Sequence, residues 1–222
     1  MNGPPLPGLA DRADALWERA AVAVMGDSRP DVAREALRIA RAESRSRPVL
    51  LVDLLGQGSA LEDLFGDDDP HGVSDAARYG VSLARVARPV PNADSLFVVP
   101  GGAESPLADD VLADRLWGSW SEQCRRAGAL LVVAAPADLP AVNKAIDQLD
   151  GVVMVGDAPP PATEAPLLGR VPTPRRRTPA DVSRAPRRVS PVEIEKVRRS
   201  SRSPRRRAAL LLTGGVALLL AA

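Results

Sequence analysis

This chain reads as an α/β protein: a parallel sheet of about five strands with helices on both faces. Three observations support that reading. Short, largely apolar runs recur along the chain, among them Arg47–Asp53 (RPVLLVD) and Ala129–Pro136 (ALLVVAAP), as expected of strands buried on both sides. Stretches with helical spacing separate them. Aromatic residues make up only 3% of the chain, so the core must be aliphatic, as suits a sheet sandwiched between helices.

The elements follow in order. Residues 1–20 form an N-terminal extension. Met1–Gly8 is rich in proline and glycine, and Leu9–Arg19 has the spacing of a short amphipathic helix. The start lacks the basic residues and apolar core of a signal peptide. Ala21–Met25 is the first strand, and Gly26-Asp27-Ser28 is a turn. Pro30 suits the first turn of a helix, which should run to about Ser44 with Val32, Ala36, Ile39 and Ala40 inward. Val49–Leu54 is the second strand and Leu61–Phe65 a helical turn. An exposed acidic loop (GDDDPHG) follows, then a short helix over Val73–Tyr79. Ser95–Pro100 is the third strand and Leu107–Ala127 the longest helix. Trp117 and Trp120 share one face of it and cover the sheet. Ala129–Ala134 is the fourth strand, Leu139–Leu149 a helix and Val152–Val155 the fifth strand. The domain thus spans 21–157. Residues 158–207, rich in Pro, Arg and Ser, have too few apolar residues to fold and are expected to be a disordered linker.

Charge is divided unevenly along the chain. The net charge is only +1, yet residues 170–222 carry 14 Lys+Arg against 3 Asp+Glu, while the rest carries 15 against 25. An acidic domain therefore precedes a basic tail, and such a tail calls for an anionic partner. Ala208–Ala222 contains no charge and follows Arg205-Arg206-Arg207. It is read as a transmembrane helix. Its 15 residues fall short of the ~20 that cross a bilayer, so it is expected to be a span cut short or a marginal anchor. The arginines before it place the domain on the cytoplasmic side. Arg198, Arg199, Arg202, Arg205, Arg206 and Arg207 would meet anionic lipid, each contributing about 1 kcal/mol near the surface. Lipid is the expected anion rather than nucleic acid, because no aromatic residue is interleaved for base stacking. Cys124 is the only cysteine, so no disulfide forms within the chain. Its neighbours Arg125 and Arg126 would favour a thiolate, but a packed thiol is the expected state.

The order of motifs resembles that of the bacterial tyrosine kinases and the MinD/ParA group of P-loop ATPases, especially kinase domains linked to polysaccharide export. VLLVDLLGQGSALEDLFG (Val49–Gly66) resembles the family's VLLIDADLRRPS strand and following LFG. Pro70-His71-Gly72-Val73-Ser74-Asp75 resembles its P-G-L-S-D turn. Leu96–Gly102 resembles LYVLPAG, Leu130–Pro136 the Walker B strand, Asp150–Val155 the later DGVLLVV strand, and Leu167–Pro172 the terminal LLG-x-[IV]-P. The resemblance covers residues 20–172. It implies a P-loop NTPase-like fold, a phosphate loop after the first strand and a metal-supporting aspartate on the Walker B strand.

The chain departs from that pattern where chemistry would occur. No G-x-x-x-x-G-K-[ST] is present, and Lys144 and Lys196 are the only lysines. The corresponding loop is Gly26, Asp27, Ser28 and Arg29, followed by Pro30 and Asp31. It has one glycine, no lysine, and acids that would repel a triphosphate. Ala134 stands at the Walker B position. Asp53 matches the first acid after the second strand, while the second is Leu55. The expectation is a pseudoenzyme without cofactor, bound metal or nucleotide, tethered to the inner face of the cell membrane by one pass. Its partner would be a protein of polysaccharide export or cell-envelope organisation. Two alternatives stay open. One is a divergent nucleotide-dependent enzyme with Arg29 replacing the lysine. The other is a nucleic-acid-binding protein acting through the tail. Asp53 otherwise reads as a residual strand-end acid. His71 beside Asp67, Asp68 and Asp69 reads as an exposed loop rather than a metal site, and neither Ser59 nor Ser74 has a histidine that would make it a nucleophile.

Overall fold

The computed structural model describes residues 16, 18–56, 58–64, 69–93 and 95–173. Most of the expected helix at 9–19, residues 65–68 at the start of the acidic loop, and everything from 174 onward lie outside them. The latter includes Arg198, Arg199, Arg202, Arg205, Arg206, Arg207 and the run 208–222. Among the described residues, no helix is long and apolar enough to cross a membrane.

The strands are β1 (Ala21–Gly26), β2 (Val49–Asp53), β3 (Arg88–Pro89), β4 (Leu96–Val99), β5 (Leu130–Pro136), β6 (Val152–Val155) and β7 (Leu167–Val171). They form one sheet in the order β3-β4-β2-β5-β1-β6-β7. All pairings are parallel except β3 with β4. The helices are α1 (Arg29–Glu43), α2 (Val73–Tyr79), α3 (Leu83–Val86), α4 (Asp109–Leu112), α5 (Leu116–Arg126) and α6 (Asn143–Ile146).

Side chains alternate across the central strands, and each face has its own core. Val22, Val24, Leu51, Leu130 and Val132 pack with Val32, Ala33, Ala36, Ile39 and Ala40 of α1. Ala23, Met25, Val52, Leu131 and Val133 pack with Leu112, Trp117, Trp120 and Ile146 from α4, α5 and α6. Fully buried residues such as Leu51, Leu130 and Leu131 each contribute about 2 kcal/mol of apolar burial. Trp117 and Trp120 meet edge to face at 5.9 Å, and the Trp117 indole donates to Val111 O at 3.0 Å. Both cover the sheet as expected.

The sheet has seven strands rather than five, and the expected linker does not begin at 158. The compact unit continues to Thr173. β7 lies parallel to β6 and bonds it at both ends, with Val152 N donating to Pro166 O at 2.9 Å and Gly156 N to Val171 O at 2.8 Å. Polar ties hold the proline-rich connection. Asp147 accepts from the Thr163 hydroxyl at 2.5 Å and from Glu164 N at 2.8 Å. Arg170 donates to Gly156 O and Ala158 O, each at 2.7 Å. Leu168 lies over Gly151, where a Cβ would come within 2.6 Å of its Cγ.

The helix expected over 107–127 is two helices. Asp114 breaks it, its carboxylate accepting the Leu116 N–H at 2.7 Å, as Asp does when it competes with the helix for backbone donors. The expected 139–149 helix shrinks to a 3₁₀ turn at Pro140–Val142 and the single turn α6.

Candidate functional site

Open α/β sheets bind ligands beyond the carboxyl ends of their strands. At that edge lies a cleft of about 640 Å³. Arg29 from the start of α1, Asp53 from the end of β2, Glu62, Arg88 and the Pro100–Gly102 turn after β4 help to line it. The structure thus brings Arg29 and Asp53 to one cavity. Gly26, Asp27 and Ser28 are not among its lining residues.

Those three residues do something else. β1 ends at Gly26 and α1 begins at Arg29, so only Asp27 and Ser28 connect them. A phosphate loop needs several inward-facing N–H groups, and this connection supplies few. Pro30 has no N–H, and Asp31 N and Val32 N donate back to Ser28 O at 3.0 and 2.9 Å. Ser28 occupies the N-cap position without a side-chain capping bond, and Asp27 is exposed. Gly26 is a packing glycine: a Cβ there would stand 2.5 Å from Val155 O and 3.1 Å from Val32 Cγ2. Its lack of a side chain lets β6 and α1 close on β1.

Asp53 is 3% exposed. Burial pushes its carboxyl up to about 6, and nearby Glu62 pushes the same way. A bond from Leu55 N at 2.8 Å and the nearby Ser59 hydroxyl oppose the shift without cancelling it. Asp53 stands in register with Ala134 on β5. Ala134 is fully buried in the α1-side core, so a methyl group occupies the place beside Asp53 where the resemblance implies a second carboxylate. Among the described residues, no group of three His, Cys, Asp or Glu side chains is arranged to hold a metal ion.

The turn before α2 organises the far wall. Asp75, nearly buried, accepts from Gly72 N at 2.9 Å and from Ala103 N at 3.4 Å. Val73 N and Ser74 N donate to Pro100 O and Gly101 O at 2.9 and 3.0 Å. The Ser74 hydroxyl accepts from Glu104 N at 3.4 Å. The approach leaves no room for side chains. A Cβ on Gly72 would lie 2.3 Å from Pro100 O, and one on Gly102, whose φ is +104°, would lie 2.2 Å from Ser74 Oγ. Ser74 is therefore a clamp between two turns and not a nucleophile. This interlock escaped the sequence reading, although its signal, Gly72-Val73-Ser74-Asp75 followed by Gly101-Gly102, was in view. His71 caps the same region. Its Nδ1 lies 2.5 Å from Asp69 Oδ1. Asp69 is held down at about 2, chiefly by His71's side chain and then its backbone N–H, with Arg85 adding to the effect.

Cys124 is not activated. Burial pushes its thiol up to about 11, while Arg125 pairs with Glu122 and Asp150 and Arg126 with Glu122.

No family model and no curated protein matches this sequence. Solved structures do match its fold. The chain has the fold of a bacterial tyrosine kinase domain. The kinase domain of the Escherichia coli tyrosine kinase ETK superposes with a TM-score of 0.54 at 15% identity, over 69% of this chain and 66% of that one. The VpsO kinase domain gives 0.52 at 15% identity, over 67% and 80%. The BceF tyrosine kinase domain gives 0.51 at 16%, over 65% of this chain and 61% of its own length. The likeness establishes the kinase-domain fold that the motif order implied. At these identities it carries the fold alone.

Proposed function

We propose that this chain is an interaction or regulatory protein that uses a tyrosine kinase-like fold without turning over nucleotide. The observation that carries this is the two-residue connection between β1 and α1. Phosphoryl transfer depends on positioning and charge stabilisation, and a loop this short leaves little backbone to surround phosphates. Ala134 beside Asp53 supports the same reading, because a buried methyl cannot hold a metal-bound water. Calorimetry of the full chain with Mg·ATP tests it. No heat of binding at millimolar nucleotide, from a protein shown to be folded by circular dichroism, is the expected result. Saturable micromolar binding would overturn it.

We place the domain at the inner face of a membrane, held by the basic segment that follows Thr173 and by residues 208–222, with a protein of polysaccharide export or envelope organisation as its partner. The charge pattern of the tail and the uncharged run support this. Removing residues 208–222 should move the protein from the membrane to the soluble fraction. Replacing Arg205, Arg206 and Arg207 by Gln should weaken flotation with anionic vesicles. Unchanged fractionation in both would remove the tether from this reading.

One observation favours a second reading. Arg29 and Asp53 line the same cleft, an arrangement open to a divergent nucleotide-dependent enzyme. Mg·ATP binding that is present in the native chain and lost in Arg29→Ala would favour it.

A further inference from the structure

Six charged side chains among the described residues line the cleft at the carboxyl edge: Arg29, Asp53, Glu62, Asp69, Arg88 and Glu104. Three of them are already answered. Asp69 meets His71 Nδ1 at 2.5 Å and Arg85 at 3.3 Å. Glu104 pairs with Arg78 and accepts from the Tyr79 hydroxyl at 3.1 Å. Arg88 donates to the backbone carbonyls of Asp69 and His71.

The other three are not neutralised. Arg29 and Glu62 are both exposed, and among the described residues neither forms an ion pair. One Glu62 carboxylate oxygen accepts from Gly58 N at 3.0 Å, which leaves the other open. Asp53 is buried nearby, and the Glu62 charge helps to push its carboxyl up. Arg29 is not among the groups that act on Asp53. Its guanidinium stands beside Gly56, where Arg29 Nη1 and Leu107 Cδ1 lie 3.8 and 4.0 Å from the point a Cβ would occupy. The cleft therefore carries a positive pole at Arg29 and a negative pole at Glu62 and Asp53, and the two do not cancel each other.

A triphosphate would suit the first pole and be repelled by the second, and a metal cation would do the reverse. A molecule carrying both signs suits both. A guanidinium fork matches a carboxylate, and a carboxylate holds an ammonium by a charge-assisted hydrogen bond. Pro100, Pro106 and Leu107 also line the cleft and offer apolar surface to the carbons that join the two charges. The volume of about 640 Å³ falls within the ~300–1,000 Å³ of small-molecule sites.

We infer that this cleft binds a small zwitterion of the amino-acid type, with its carboxylate on Arg29 and its ammonium on Glu62. The inference rests on the proposed reading that no nucleotide is turned over here. Such a ligand would be the signal that a regulatory domain reads.

The test is a titration of the full chain with a ladder of zwitterions, namely glycine, β-alanine, γ-aminobutyrate and ε-aminocaproate, at constant ionic strength. The carboxylate and the amine of matching length serve as single-charge controls. Backbone amide resonances of Gly56, Gly101 and Gly102 report on the cleft. The expected result is a saturable shift at these amides for at least one zwitterion, with affinity at least tenfold tighter than for either of its controls. Arg29→Gln and Glu62→Gln, both at exposed positions, should each weaken that zwitterion at least tenfold. Carboxylate uptake by the basic tail is common to all three proteins, so their difference isolates the cleft. Binding no tighter than a control, or unchanged in either variant, overturns the proposal. Mg·ATP is titrated alongside. Saturable Mg·ATP shifts at the same amides overturn the nucleotide-free reading and this proposal together. No shift with Mg·ATP and none with any zwitterion overturns this proposal alone.

Discussion

The two edges of the sheet solve opposite problems. At the amino edge, the chain enters β1 under ionic ties: Asp150 holds Ala20 and Ala21, Arg125 holds Asp150, and Arg47 holds the turn at Leu16–Arg19. At the carboxyl edge, glycines bring turns into close approach, and Asp53 is buried at the end of β2. Charge neutralisation organises the first edge. Steric fit organises the second and leaves a cleft. The difference teaches that the carboxyl edge has the shape of a ligand-binding end although only two residues connect β1 to α1.

The sharpest way to break this contrast is at the glycine interlock. Gly102→Ala would add a left-handed backbone strain to a clash with Ser74 and Asp75. It should destabilise the domain by about 3 kcal/mol or more, read as a lower midpoint in urea denaturation. Asp53→Asn should act in the other direction. Its carboxyl titrates at about 6 in the folded chain against an ordinary 3.8, so between those values the folded state binds more protons than the unfolded. Stability on account of Asp53 is therefore unimpaired below about pH 4, falls as pH rises to about 6, and stays reduced above that. Asn keeps an acceptor for Leu55 N–H and removes the charge. The variant should gain on the order of 3 kcal/mol at pH 7, with the gain vanishing near pH 4. A native-like pH dependence in Asp53→Asn would show that another group is responsible.

At the amino edge, Asp150→Ala removes the acceptor for two strand-entry amides and the partner of Arg125. About 2 kcal/mol should be lost, and a chemical-denaturation series would show it. The smallest effect is expected at Cys124. With its thiol pushed up to about 11 by burial, a disulfide exchange reagent at pH 7.5 should label it only as fast as the protein unfolds.

Much of this was legible in the sequence because buried parallel strands write themselves as unbroken apolar runs. β1, β2, β4, β5 and β6 were each located to within a residue or two. β3 was invisible, since Arg88-Pro89 has no apolar pattern and pairs only at the sheet's edge. β7 was hidden by its surroundings. Leu167–Pro172 resembles a family motif, yet the prolines before it suggest disorder, and the ties from Asp147 and Arg170 depend on residues distant in sequence. The break at Asp114 turns on one side-chain hydrogen bond, which helical periodicity cannot register. At the site, Asp53 and Arg29 were named separately and the fold brought them together. Glu62 carries no signal in the sequence, because its place in the cleft near Asp53 depends on how the loop after β2 folds back.

The position of β1 has a consequence for the birth of the molecule. This strand is made before the other six but sits inside the sheet, between β5 and β6, and its entry is tied to Asp150, 130 positions downstream. At ribosomal speeds, AVAVMG would wait for ~10 s before its neighbours leave the exit tunnel. The nascent chain thus carries an unmated apolar ribbon over that interval, and the sheet closes around β1 only after β5 and β6 have emerged.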